Sequence, residues 1–149
     1  MSLTELLRDK KPTGDKVVIF GGGQSGCEAA LELARAGKHP IVVEYAVDLI
    51  ATAMVPLPNA SYLREALAFH KVPVYLESTL VDIKDGSVVI KGKDGTTTEV
   101  ACDNVVNAIG FVPTPIAKPG RHVHLVGDCV NIGNLRTVIW RAWDVCMKI

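Results

Sequence analysis

Apolar residues in this chain of 149 fall into short runs whose spacing changes part-way along. Residues 17–20 form an unbroken apolar run, as expected of a strand in a parallel sheet covered on both faces. Ala30, Leu31, Leu33 and Ala34 recur at helical spacing within 26–36, and Gly37 supplies a stop, so a helix is expected there. A second strand follows over 41–44. Residues 48–58 read as an irregular, Pro-bearing link whose apolar residues are placed to cover a ligand or a neighbour. A second helix is predicted over 61–70. A third strand is predicted over 72–76, where Pro73 argues for an edge or a strand start.

The period then shortens. Residues 79–84, 87–91 and 96–101 are β-rich runs separated at Asp85-Gly86 and Asp94-Gly95, and Asp-Gly is a strong hairpin signal. A buried strand is expected over 104–109, ending at Gly110, then a Pro-rich link over 112–120. A last strand over 123–126 and a helix over 134–148 complete the pattern. Trp140 and Trp143 share a face of that helix, an arrangement that usually means core packing. The fold class expected is α/β: a Rossmann-like parallel sheet with helices on both faces and an inserted three-stranded antiparallel β-meander at about 79–101. Residues 1–15 read as a polar lead whose opening Met1-Ser2-Leu3 resembles an added leader, and 16–111 as the nucleotide domain.

Between the first strand and the first helix lies GGGQSG. Gly21, Gly23 and Gly26 fill G-x-G-x-x-G, with Gly22, Gln24 and Ser25 between them, and Glu44 ends the second strand about 20 residues on. The glycines alone are a weak signal. Strand, glycines, helix, strand and terminal acid in this order make a strong one. Gly21 permits the tight turn, Gly23 clears the backbone for a pyrophosphate, and Gly26 lets the helix lie against the strand. Free N–H groups and the positive end of the helix dipole then face the phosphates. Glu44 is placed to accept from the adenosine ribose hydroxyls, and its charge repels a 2′-phosphate. Tyr45 follows it, with no adjacent cation, so NADH is expected over NADPH. The alternative is a plain tight turn with Glu44 as a solvated strand end.

Charge changes the picture by exclusion. Lys and Arg number 16, as do Asp and Glu, and the net charge of zero leaves no footprint for nucleic acid or an anionic membrane. No apolar run approaches the roughly 18 residues of a membrane span, and the opening lacks the apolar core of a signal peptide. A cytoplasmic location is the default expectation. Cys27, Cys102, Cys129 and Cys146 show no C-x-x-C, zinc or iron–sulfur spacing, so reduced and mostly buried thiols are expected. His122 and His124 alternate on the predicted last strand and suit a solvent or partner face better than a metal. Mean hydropathy is +0.25, so some apolar surface is expected to await a partner.

These residues resemble the nicotinamide-binding region of two-nucleotide flavoprotein oxidoreductases. The similarity is closer to the NADH:flavin oxidoreductases related to 2,4-dienoyl-CoA reductase, 2-enoate reductase and trimethylamine dehydrogenase. GGGQSGCEAALELA matches the family's second dinucleotide fingerprint, in which an acid, here Glu28, follows the last glycine by two. VVNAIGFVPT (105–114) resembles the strand and turn that close the nucleotide domain, with Gly110 at the carboxyl edge of the sheet. HLVGDCVN (124–131) resembles the Gly-Asp motif, Gly127-Asp128, whose acid holds the ribityl or phosphate region of a flavin. Residues 112–149 then resemble the end of an FAD-binding domain, and the family inserts a meander where 79–101 lie.

The resemblance implies NADH (NAD) as cofactor, FAD held only in part, and the remaining flavin domains of a parent enzyme as partners. The family's flavin barrel, cluster cysteines and first flavin fingerprint have no counterpart in this sequence, and a homo-oligomer stays open. The expected role is to position a nicotinamide for hydride transfer to a flavin that reduces an enoate-type substrate or exchanges electrons with an amine site. No catalytic acid, base, nucleophile or metal ligand is nominated, and the isolated chain is not expected to be competent. Glu28 has two readings: orienting the nicotinamide ribose or amide, or complementing the helix dipole. Ser25 donates to a phosphate or shapes the turn. Asp128 holds flavin or caps a helix. Two other classes stay open. One is a non-catalytic NAD(H)-binding sensor or interaction module that docks through the Trp140–Trp143 helix. The other is a free-standing NADH dehydrogenase, against which the lack of a catalytic set counts.

Overall fold

The computed structural model describes residues 1–52 and 55–149. They form two compact units, Met1–Ile109 and Gly110–Ile149. In the first, a parallel sheet has the order β3-β2-β1-β7, built from β1 (Lys16–Phe20), β2 (His39–Val43), β3 (Val74–Tyr75) and β7 (Asn104–Asn107). Val18 of β1 aligns with Ile41 on one side and Val105 on the other, so β1 is central. Val17, Val18 and Ile19 are fully buried, as its unbroken apolar run requires. β3 is two residues long and lies at the edge, where Pro73 costs no ladder bond.

Alternation along β1 and β2 sends side chains to two separate cores. Val17, Ile19 and Val42 face the helices α1 (Leu3–Leu7), α2 (Gln24–Arg35) and α3 (Leu57–Phe69). Val18 and Val43 face Val88, Ile90 and Cys102. This second core belongs to an antiparallel meander of β4 (Ser78–Lys84), β5 (Ser87–Gly92) and β6 (Thr97–Ala101), in the order β4-β5-β6. Parallel sheet, helices and meander all match the expected class. The refinement is that the meander covers the face for which a second helical layer was expected.

Local chemistry explains the shifted boundaries. α2 starts at Gln24, two residues before the expected start, because Gly23 takes the extended N-cap conformation. It ends in a Schellman turn: Gly37 at φ 78° donates to Ala34 O and Lys38 N–H to Leu33 O, both at 3.0 Å. α3 starts at Leu57 and not at residue 61, since Pro58 in a first turn sacrifices no hydrogen bond. Residues 53 and 54 of the expected link lie outside the described residues. Its described apolar residues Leu49 and Ile50 do not wait on a ligand; they join the helical core.

The lead is structured. Ser2 and Glu5 form a capping box that starts α1, Leu3 is buried, and Asn107 N–H donates to Met1 O at 2.9 Å. The run from Leu3 to Leu7 is too short to show a period, which is why it reads as a polar lead.

The second unit holds a single 3-10 turn at Gly127–Cys129 and α4 (Leu135–Cys146), capped by Asn134 and Thr137. The strand expected over 123–126 does not form. Among the described residues Val123 meets only Gly120 in an isolated bridge, and a strand without a partner leaves its backbone groups unpaired. Core packing by Trp140 and Trp143 is likewise corrected. They are 59% and 57% exposed, and no residue of α4 is buried.

If the meander is a true second core layer, Ile90→Ala should cost about 2–5 kcal/mol in chemical denaturation. A loss under about 0.5 kcal/mol would show the meander to be a loose appendage.

Candidate functional site

β1 delivers the chain into the glycine turn at the carboxyl edge of the sheet. Gly21 N–H continues the ladder to Val43 O at 2.8 Å, and its φ of 116° is open to glycine alone. An ideal Cβ on Gly21 would lie 2.5 Å from Ala108 O, and one on Gly26 only 2.0 Å from Gly21 O. On Gly22 it would meet Leu49 Cδ2 at 2.6 Å. Gly21 and Gly26 are thus required by their own backbone, whereas at Gly22 the Leu49 side chain would have to give way. Gly23 is different: nothing lies within 4 Å of an added Cβ, and its φ of −66° suits any residue.

The start of α2 is also open. Its first helical bond is Cys27 N–H to Gly23 O at 2.9 Å, and Gly23 has no side chain with which to cap. The N–H groups of Gln24, Ser25 and Gly26 find no acceptor among the described residues, so the positive end of the helix dipole faces outward. Ser25 is exposed beside them.

Glu44 follows β2 and is held from two sides. Its Oε2 accepts from Gly22 N–H, and its Oε1 from Ala46 N–H at 2.7 Å. Ile50 N–H donates to Gly22 O at 2.8 Å, clamping the 45–50 loop over the turn. Arg64 Nη2 anchors that loop through Asp48 Oδ2 at 2.9 Å. The solvated-strand-end alternative is thereby corrected, because the carboxylate is fixed against the glycine turn. Cys27 donates its thiol to Gly22 O at 3.3 Å; burial first, and the charge of Glu44 second, push that thiol up to about 12. A thiol so held packs the turn and offers no nucleophile.

Glu28 is not in the first helical turn, because α2 starts early; it lies at the fifth position and accepts from Gln24 Nε2 at 2.9 Å. Its dipole reading is weakened accordingly, since the dipole's pull is concentrated in the first turn. Gly110, Gly127 and Asp128 belong to the second unit. Asp128 Oδ1 accepts from Gly133 N–H at 3.1 Å, and α4 is capped by Asn134, so Asp128 is not its cap. The sequence reading missed Ala46 and Ile50, whose contributions are backbone N–H groups that no residue type announces. The four cysteines are all free. No helix among the described residues is long and apolar enough to cross a membrane.

The family description "pyridine nucleotide-disulphide oxidoreductase" matches residues 1–125. The chain belongs to this family. Cinnamate reductase of Clostridium sporogenes is 30% identical over 155 aligned positions, covering 99% of this chain and 23% of the relative. NADH oxidase of Thermoanaerobacter brockii is 28% identical, over 91% of this chain and 21% of the relative. A solved 2-naphthoyl-CoA reductase in complex with 2-naphthoyl-CoA superposes with a TM-score of 0.85 at 26% identity, covering all of this chain and 23% of that one. The chain thus spans about a quarter or less of these proteins' length. Family members bind NAD(P)H and FAD, and the chain is an NAD-binding domain of the flavin-oxidoreductase type.

Gly26→Ala should cost about 2–3 kcal/mol in urea unfolding, since the new methyl meets a backbone oxygen. Gly23→Ala should cost less than about 1 kcal/mol, a change at an open N-cap. Equal losses would mean that the fold demands both glycines alike.

Proposed function

We propose that this pyridine nucleotide-disulphide oxidoreductase domain binds NADH across the glycine turn and serves a flavin-dependent reductase of the enoate-reductase kind. The observation that carries the reading is Gly23. Neither its φ nor any neighbour requires glycine there, yet the space above it is clear, and three N–H groups of α2 that find no acceptor among the described residues start beside it. A pyrophosphate fits that description. It accepts several N–H bonds, carries the charge that a helix start favours, and leaves no room for a side chain.

Each residue then has a role. Gly21, Gly22 and Gly26 shape the turn, the N–H groups of Gln24 and Ser25 receive phosphate oxygens, and the Ser25 hydroxyl adds a donor. Glu44 receives the ribose hydroxyls on the lone pairs that Gly22 and Ala46 leave free. Glu28 serves the nicotinamide end. Gly127 and Asp128 form part of a flavin site completed by the remaining domains of a parent enzyme, where the second Asp128 oxygen, which accepts no hydrogen bond among the described residues, is the acceptor. The nucleotide, once bound, supplies a hydride, and the chain's contribution is to orient it. Cinnamate reductase, by its name, reduces an α,β-unsaturated acid, which supports an enoate-type substrate for the parent. The exposed apolar side chains of α4, among them Ile139, Trp140 and Trp143, suit packing against those further domains. The same surface is what a sensor module would use, and absence of any flavin binding would favour that second reading.

Calorimetric titration tests the assignment. Gly23→Val should abolish NADH binding with the circular dichroism spectrum retained. Glu44→Ala should weaken NADH about tenfold and narrow its advantage over NADPH. Wild-type affinity in either variant would place the nucleotide elsewhere.

A further inference from the structure

A cavity beside the loop that follows Glu44 is lined by Tyr45 and Val47 of that loop, by Glu77, and by Lys91 and Lys93 of the meander. No cation neighbours Glu44 in the sequence, but the meander brings two beside the loop that follows it. The link between them is short and fully bonded. Ser78 N–H donates to Glu44 O at 2.9 Å and Glu77 N–H to Ala46 O at 3.0 Å, while Ala46 N–H holds the Glu44 carboxylate. Glu77 is therefore bonded to the loop that directly follows the acid proposed to receive the ribose. Its φ is 47°, a left-handed conformation that residues other than glycine rarely take, and such positions gather at functional sites.

The Glu77 side chain closes the arrangement. Its Oε1 accepts from Lys93 Nζ at 2.5 Å, and this bond, with the Glu77 charge behind it and the Tyr45 phenol adding less, raises the Lys93 ammonium above its ordinary value. Lys91 forms no ion pair among the described residues. One carboxylate, Glu77, thus stands with two ammonium groups in the lining of one cavity, whose neighbouring Tyr45 directly follows Glu44. A 2′-phosphate brings close to two negative charges to this balance.

Resting on the nucleotide site proposed above, we infer that Glu77 is a specificity-determining residue: it occupies Lys93, offsets Lys91, and so makes the meander side of the cavity reject a 2′-phosphate. Specificity here comes from a repulsive element as much as from the attraction of Glu44 for a ribose. Freed of Glu77, the two lysines form an ammonium pair of the sort that receives phosphate.

The test is a titration of the chain, of Glu77→Gln and of Glu77→Gln/Lys93→Met with NADH and NADPH. An exposed ion pair contributes little to stability, so the variants keep the fold. Glu77→Gln should shift the NADPH-to-NADH affinity ratio about tenfold toward NADPH. The shift should shrink as salt is raised and should vanish in the double variant. NADH binding with an unchanged ratio in Glu77→Gln, or a shift that survives Lys93→Met, overturns the inference and leaves the nucleotide site standing. Failure of the unaltered chain to bind NADH at all overturns both.

Discussion

The Gly21 carbonyl oxygen lies where a side chain on Gly26 would begin, 2.0 Å from an ideal Cβ. This contact between the end of β1 and the first turn of α2 sets how closely the helix approaches the sheet. Because α2 lies so close, its buried face of Cys27, Ala30 and Leu31 packs directly on the β1 residues Val17 and Ile19. The same approach sets the start of α2, whose first N–H groups find no acceptor among the described residues, beside the clear space at Gly23. Core packing and the proposed phosphate cradle therefore follow from one close contact. The Gly22 N–H to Glu44 bond extends it to β2, locking the acid in register with the turn.

The two faces of the sheet divide the work. Helices bury one face and leave the carboxyl edge clear, as open α/β sheets do where they bind ligands. The meander buries the other face through Val88 and Ile90, and its β5 end reaches back to the loop after Glu44. A layer that could have served only to cover apolar surface thereby contributes charged side chains to the cavity beside the loop that follows Glu44. Burial of Cys27 behind the turn shows the opposite economy: a reactive residue type used for packing and one hydrogen bond.

Much of this was legible in the residues. The apolar run of β1, the glycine spacing, the terminal acid and the Asp-Gly hairpins mark local events, each written in a few neighbouring positions. What escaped depended on partners distant in sequence. Residues 123–126 alternate like a strand but have no strand to pair with. Trp140 and Trp143 share a face as core residues do, yet nothing in their unit buries them. The lead folds because Leu3 finds the helical core and Met1 bonds to Asn107, across nearly the whole first unit. Lys93 and Glu77 are unremarkable surface residues until β5 is laid beside the Glu44 loop.

The central claim is that Gly23 and the open start of α2 exist to hold a nucleotide. Amide-resolved NMR of the labelled chain during addition of NADH addresses it directly. The account predicts saturable shifts concentrated at Gly22 through Gly26 and at Ala46, with the meander-side amides of Lys91 and Lys93 moving less. Shifts that spare the glycine turn, or no saturable shift anywhere, would contradict it.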